Sequence, residues 1–164
     1  ISYQINETLV TVGGSEAIDI ALRAMINPGV GEEVLIPQPS YVSYEPCAIL
    51  AGAKPVIIEL KHENQFRLTA QELEDAITDK TKVLILPFPN NPTGAIMEKE
   101  DLEAIAEVIL EKDIFVISDE IYLPVSLSPP LTVINFLRSS KVNTGPFADL
   151  ATLFSTTRVA AFML

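Results

Sequence analysis

With 164 residues, the chain is long enough to bury one hydrophobic core and short for two independent domains. A hydrophobic content of 48% with 20% charged residues excludes a disordered chain, and no uncharged apolar run of about 18 residues is present to suggest a membrane span. The net charge of −11 argues against nucleic acid as a partner, because phosphates demand a basic footprint.

Along the chain, Ala17, Ile18, Ala21, Leu22 and Met25 recur at helical spacing and predict a helix over 15–26. Asn27, Pro28 and Gly29 end it with breaker chemistry. Residues 33–37 read as a short buried strand, 41–51 as a helix closed by Gly52, and 54–60 as the next strand. Thr69, with Glu72 three residues on, has the capping-box pattern that opens a helix over TAQELEDAI. A strand at 82–87, an amphipathic helix at 98–111 and a strand at 113–118 follow. Strands alternating with helices predict an α/β fold of three layers, α/β/α, around a mainly parallel sheet.

Beyond Tyr122 the periodicity fails, and three prolines fall within 123–131. The charge balance changes at the same place. Residues 1–122 carry 8 of the 11 basic and 21 of the 22 acidic side chains, whereas 123–164 carry the other 3 and 1. A boundary is therefore expected directly after Tyr122.

Candidate chemistry gathers where apolar strands end in polar residues. In parallel α/β sheets those ends line the crevice that binds ligands. The run ILPFPNNPTG at 85–94 ends in Asn91, and Asp119 lies 25 positions beyond Gly94 in FVISDEIY, with Tyr122 three residues further. An amide, a carboxylate and a phenol could hold an aromatic nitrogen ring that carries its own hydroxyl. Asn91 could equally belong to a plain turn, and Asp119 could be a helix cap or a surface acid. In TVGGSEA at 11–17, Gly14, Ser15 and Glu16 open a helix whose free N–H groups and dipole attract an anion. The same pattern also makes an ordinary N-cap and glycine turn. Tyr41, after PQPS, can stack on a flat heterocycle or pack against the next helix. His62 in a polar loop and Cys47 on an apolar helix face receive no role.

Taken together, GGSEA, PQPSY, NNPTG and DEIY resemble the fold-type I pyridoxal-phosphate-dependent aminotransferases, the class I/II aspartate and aromatic aminotransferase family. The resemblance runs from about Glu7 to Tyr122. It implies a partial large domain at 1–122 that uses pyridoxal 5'-phosphate to move an amino group from an amino acid to a 2-oxo acid. It also implies that Gly14, Ser15 and Glu16 cradle the cofactor phosphate and that Tyr41 stacks on its ring. Asn91 and Tyr122 would bond the ring hydroxyl oxygen, and Asp119 would pair with the ring nitrogen. Pro92 is expected in cis, and the intact family implies a homodimer.

The resemblance also exposes gaps. The family's Schiff-base lysine is expected near 150–155, where this chain reads LATLFS; Lys141 comes too early, so no catalytic residue is assigned. Arg158 does not match the family's substrate-binding arginines. Residues 123–164 are therefore expected to be a divergent tail, and the chain an incomplete or inactive version of the enzyme. Starting without methionine, mid-pattern, also suggests a fragment. A carbon–sulfur β-lyase of the same fold is an alternative, disfavoured because those relatives tend to carry His where Tyr122 stands. A regulator that senses pyridoxal phosphate or an inert remnant is the other alternative. The single cysteine and the lack of a signal-peptide pattern fit the cytoplasm.

Overall fold

A computed structural model describes residues 9–122 of the chain. The expectations for the tail, for Lys141 and for Arg158 lie outside the described residues. Within them the order is α1 (Gly13–Met25), β1 (Glu33–Gln38), α2 (Tyr44–Leu50), β2 (Lys54–Glu59), a 3-10 turn (His62–Asn64), α3 (Ala70–Ala76), β3 (Thr81–Leu86), α4 (Lys99–Lys112) and β4 (Phe115–Ser118). The strands form one parallel sheet in the order β2-β1-β3-β4.

Alternation along the strands explains the three layers. Val34 and Ile36 of β1 with Val83 and Ile85 of β3 point to one face, where they meet Ile18, Ala21 and Leu22 of α1 and Tyr44, Cys47 and Ala48 of α2. Leu35, Leu84 and Leu86 point to the other face and pack on Leu73 of α3 and on Leu102, Ile105 and Ile109 of α4. Both faces of the central strands are thus covered, which is why β1 and β3 read as unbroken apolar runs rather than alternating ones. Each fully buried Leu or Ile contributes about 1.5–3 kcal/mol.

Most expected elements are present, with boundaries displaced for identifiable reasons. Helix α2 begins at Tyr44 rather than 41. Starting there puts Pro46 in the first turn, where its missing N–H costs nothing; an earlier start would bury that defect inside the helix. Strand β4 begins at Phe115 rather than 113. Asp113 instead caps α4 in the left-handed region, at φ 55°. Thr69 and Glu72 do form the capping box, with Glu72 N–H donating to Thr69 Oγ1 at 3.2 Å and Thr69 N–H to Glu72 Oε2 at 3.1 Å. His62 is exposed and Cys47 is buried, as the sequence suggests.

Candidate functional site

The chain leaves β1 toward β2 on one side and later reaches β3 and β4 on the other. The sheet therefore reverses its winding between β1 and β3. Loops from adjacent strands part at such a point and open a crevice above the carboxyl ends. The segments that follow β1, β3 and β4 carry Tyr41, Asn91 and Asp119.

Contacts across long sequence separations connect these residues. Ser15 Oγ lies 3.1 Å from Tyr41 Oη and donates to Ser43 Oγ at 3.3 Å. The Tyr41 ring meets the Tyr44 ring edge-on, with centroids 5.7 Å apart and planes at 78°. Tyr44 Oη donates to Asp119 Oδ2 at 2.7 Å, a length typical of a hydroxyl bonded to a charged oxygen. Asp119 Oδ1 accepts from Ile121 N–H at 3.2 Å, and its own N–H donates to Leu86 O at 3.1 Å. On the other side, Asn91 Nδ2 donates to Tyr122 Oη at 3.2 Å. The two groups expected to share one hydroxyl oxygen therefore stand within reach of a common atom. The Asn91–Pro92 bond is cis, as expected.

Gly14 and Ser15 lie in the first turn of α1, and Val12 at its N-cap supplies no side-chain cap. Among the described residues no side chain caps the first-turn N–H groups, which suits them to solvent or an anion. Gly13 adopts φ +79°, and a Cβ there would meet nothing within 4 Å, so the turn is open on that side. The carboxylate of Glu16 folds back to accept a short hydrogen bond from Val12 N–H. Like charges repel, so it is the backbone N–H of Glu16, not its side chain, that suits a phosphate.

The electrostatics follow from burial. The Tyr44 phenol is pushed far above the ordinary tyrosine range by desolvation and by the Asp119 carboxylate, so it stays a proton donor. Hydrogen bonds from Ser15 and Ser43 lower the Tyr41 phenol. Burial raises the Cys47 thiol, which makes it an inert core side chain.

Two contributors are given no role by the sequence alone. Tyr44 was visible in YVSYEP, but its value depends on reaching a carboxylate 75 residues away. Asn90 reads as half of a turn, yet it is buried, and its Nδ2 donates to Pro39 O at 3.0 Å. That bond ties the loop carrying Tyr41 to the turn carrying Asn91. The lysines among the described residues are engaged elsewhere: Lys54 with Glu33, Lys61 with Glu72, Lys99 with Glu103, Lys112 with Glu111, and Lys82 over the Phe115 ring. Lys80 lies by Gly31 and Glu33. No candidate metal cluster occurs among the described residues.

The family described as "Aminotransferase class I and II" matches residues 1–143. The chain belongs to that family. The match continues past Tyr122 and takes in Lys141. The aspartate aminotransferase of Pyrococcus abyssi is 50% identical over 116 residues, covering 71% of this chain and 29% of that protein. The crystal structure of the aromatic aminotransferase from Pyrococcus horikoshii superposes with a TM-score of 0.67 at 49% identity, covering 70% of this chain and 30% of that one. The aspartate aminotransferase from Thermus thermophilus with maleate gives a TM-score of 0.70 at 41% identity, covering 74% and 31%. The chain thus spans 29% to 31% of the length of these relatives. They share the three-layer α/β fold and the dependence of the class on pyridoxal phosphate. The donor set fits that cofactor: an open helix start for the phosphate, an aromatic face, a carboxylate for the ring nitrogen and an amide–phenol pair for the ring hydroxyl.

Proposed function

We propose that residues 1–122 are the cofactor-binding part of an aminotransferase large domain, serving transfer of an amino group from an amino acid to a 2-oxo acid. The observation that carries this reading is the contact path from Ser15 through Tyr41 and Tyr44 to Asp119, beside the Asn91–Tyr122 pair. When bound, pyridoxal phosphate supplies an electron sink for the carbanion at the substrate α-carbon. Asp119 keeps a proton on the ring nitrogen. Asn91 and Tyr122 hold the ring hydroxyl oxygen, and Tyr41 covers one face of the ring and excludes water. Gly14, Ser15 and the backbone of Glu16 receive the phosphate.

The substrate class is that shared by the aspartate and aromatic aminotransferases among the relatives, an amino acid with its 2-oxo acid partner. The reading extends to a cytoplasmic homodimer, in keeping with the single cysteine. The charge break after Tyr122 supports a boundary there and a tail at 123–164 that diverges in composition, while the family match itself runs on to residue 143. Because the window near 150–155, where the family's lysine is expected, reads LATLFS, the chain binds the cofactor without covalent attachment and is inactive alone. Titration with pyridoxal phosphate, followed by borohydride reduction and peptide mapping, tests this. Saturable binding with no labelled peptide is expected. A pyridoxyl group fixed stoichiometrically on Lys141 would restore a catalytic lysine, and no saturable binding would refute the cofactor site.

A further inference from the structure

Among the described residues, Tyr44 joins both ends of the ring-binding arrangement. Its ring lies edge-on to Tyr41, at 78°, and its hydroxyl reaches Asp119 Oδ2 at 2.7 Å. It is almost fully buried, and it sits in the first turn of α2, packed with Cys47 and Ala48 against β1 and β3. Asp119, by contrast, is half-buried and lies just past the end of β4, where, among the described residues, the other hydrogen bond to its carboxylate comes from the Ile121 N–H. A carboxylate at a strand end can take several side-chain rotamers unless something fixes it. One oxygen is held by a backbone N–H of its own loop, which moves with it. The other is held by a buried phenol that belongs to a different element.

We propose that Tyr44 is a positioning residue that fixes the Asp119 carboxylate against the cofactor ring nitrogen while setting the tilt of Tyr41 on the ring face. This inference rests on the cofactor-site reading above. The chemistry suits the task. A neutral phenol orients a carboxylate by hydrogen bonding without neutralising it, so the negative charge remains for a protonated ring nitrogen. A lysine or arginine at the same place would form an ion pair and compete with the ring. The phenol keeps its proton, since burial and the neighbouring carboxylate both oppose ionisation. Its fixed place in α2 allows Asp119 one orientation rather than several, which spares the entropy of ordering it when the ring arrives.

The consequence is specific to the nitrogen. Losing the Tyr44 hydroxyl weakens the contact that depends on Asp119 orientation and leaves the phosphate and hydroxyl contacts alone. The probes are pyridoxal phosphate and its deaza analogue, in which the ring nitrogen is replaced by C–H. The unaltered chain is expected to bind pyridoxal phosphate about tenfold or more tightly than the analogue, as loss of a hydrogen bond to a charged group requires. In Tyr44→Phe the preference should fall to within about threefold, with affinity for the analogue unchanged within about twofold. Phe fills the same volume, and circular dichroism with thermal unfolding checks that the variant folds. Incorporating 4-aminophenylalanine at position 44, which returns a donor to the para position, should restore the preference and serves if Tyr44→Phe fails to fold. A merely structural role would lower both affinities together. A full preference retained in folded Tyr44→Phe, or no restoration by the amino variant, overturns the positioning role and leaves the cofactor site standing. No preference in the unaltered chain overturns both.

Discussion

Replacing Asp119 by Asn puts the cofactor assignment at greatest risk. The amide has the same size and shape, so the packing of β4 and the Leu86 O bond to the 119 N–H are untouched. What changes is charge and donor count. The carboxylate now accepts from Tyr44 Oη at 2.7 Å and from Ile121 N–H at 3.2 Å. An amide offers a single oxygen for these two donors and turns its NH2 toward the other. A hydrogen bond to a charged group is worth about 1.5–3 kcal/mol, or roughly 10- to 150-fold in affinity. Asp119 is only half-buried, and solvent screening places the effect toward the lower end, about tenfold. Absorbance titration with pyridoxal phosphate measures the dissociation constant, and thermal unfolding of the apo chain serves as control. A loss of about tenfold with little change in unfolding temperature is expected. An affinity within about twofold of the original would show that no charged ring atom meets Asp119, and the assignment would fall.

Three further expectations concern the scaffold. Glu33 is buried, bonded to Lys54 Nζ at 2.8 Å and to Thr78 Oγ1 at 2.6 Å, and these partners depress its carboxyl below the ordinary 4.5. Its stabilisation is therefore present above the unfolded value and lost as pH falls through the lower folded value; Glu33→Gln should cost about 1–2 kcal/mol at pH near 7 in urea unfolding and much less in strong acid, and an equal cost at both would refute the linkage. Thr69→Ala removes the hydroxyl half of the α3 capping box and should cost about 1 kcal/mol by the same assay, whereas no cost would mean the helix end is held by packing alone. Gly52 has φ +87°, and an added Cβ would lie 2.7 Å from Pro28 Cβ; Gly52→Ala should destabilise by about 1–3 kcal/mol, and a neutral outcome would show that the turn after α2 yields freely.

The fold was legible because its signals are local. Periodicity marked α1 and α4, apolar runs marked β1 and β3, and the Thr69–Glu72 pair marked its own helix start. The misplaced boundaries come from single residues whose effect depends on position within a turn. Pro46 is harmless in the first turn of α2 and disruptive one turn later, and Asp113 caps α4 only by taking a left-handed backbone. The site was legible in part. Asn91, Asp119 and Tyr41 stand at strand ends, and the topology of a parallel sheet decides what strand ends do. Tyr44 and Asn90 were not, because their partners, Asp119 and Pro39, lie 75 and 51 residues away. No spacing rule within a helix or turn reaches that far.

Each motif taken alone has an ordinary reading: an N-cap, a turn, a packed tyrosine, a surface acid. What separates the readings is the strand order. An order of β1-β2-β3-β4 would put β2 between the Tyr41 loop and the Asn91 turn, and neighbouring strands stand about 4.8 Å apart. The observed β2-β1-β3-β4 instead makes β1 and β3 neighbours and adds β4 beside β3. The Asn90 Nδ2 to Pro39 O bond at 3.0 Å follows from that arrangement, because it joins the segments that follow adjacent strands. The Tyr44 bond to Asp119 then reaches from α2 over β1 and β3 to the end of β4. A surface acid does not need a buried phenol delivered across two strands, nor does an ordinary turn need its amide tied to the loop after the next strand. These two bonds are a large investment in residues that plain capping and turn roles would leave to solvent. Local readings therefore explain where each residue sits, and the shared ligand proposed above accounts for why the sheet brings them to one edge.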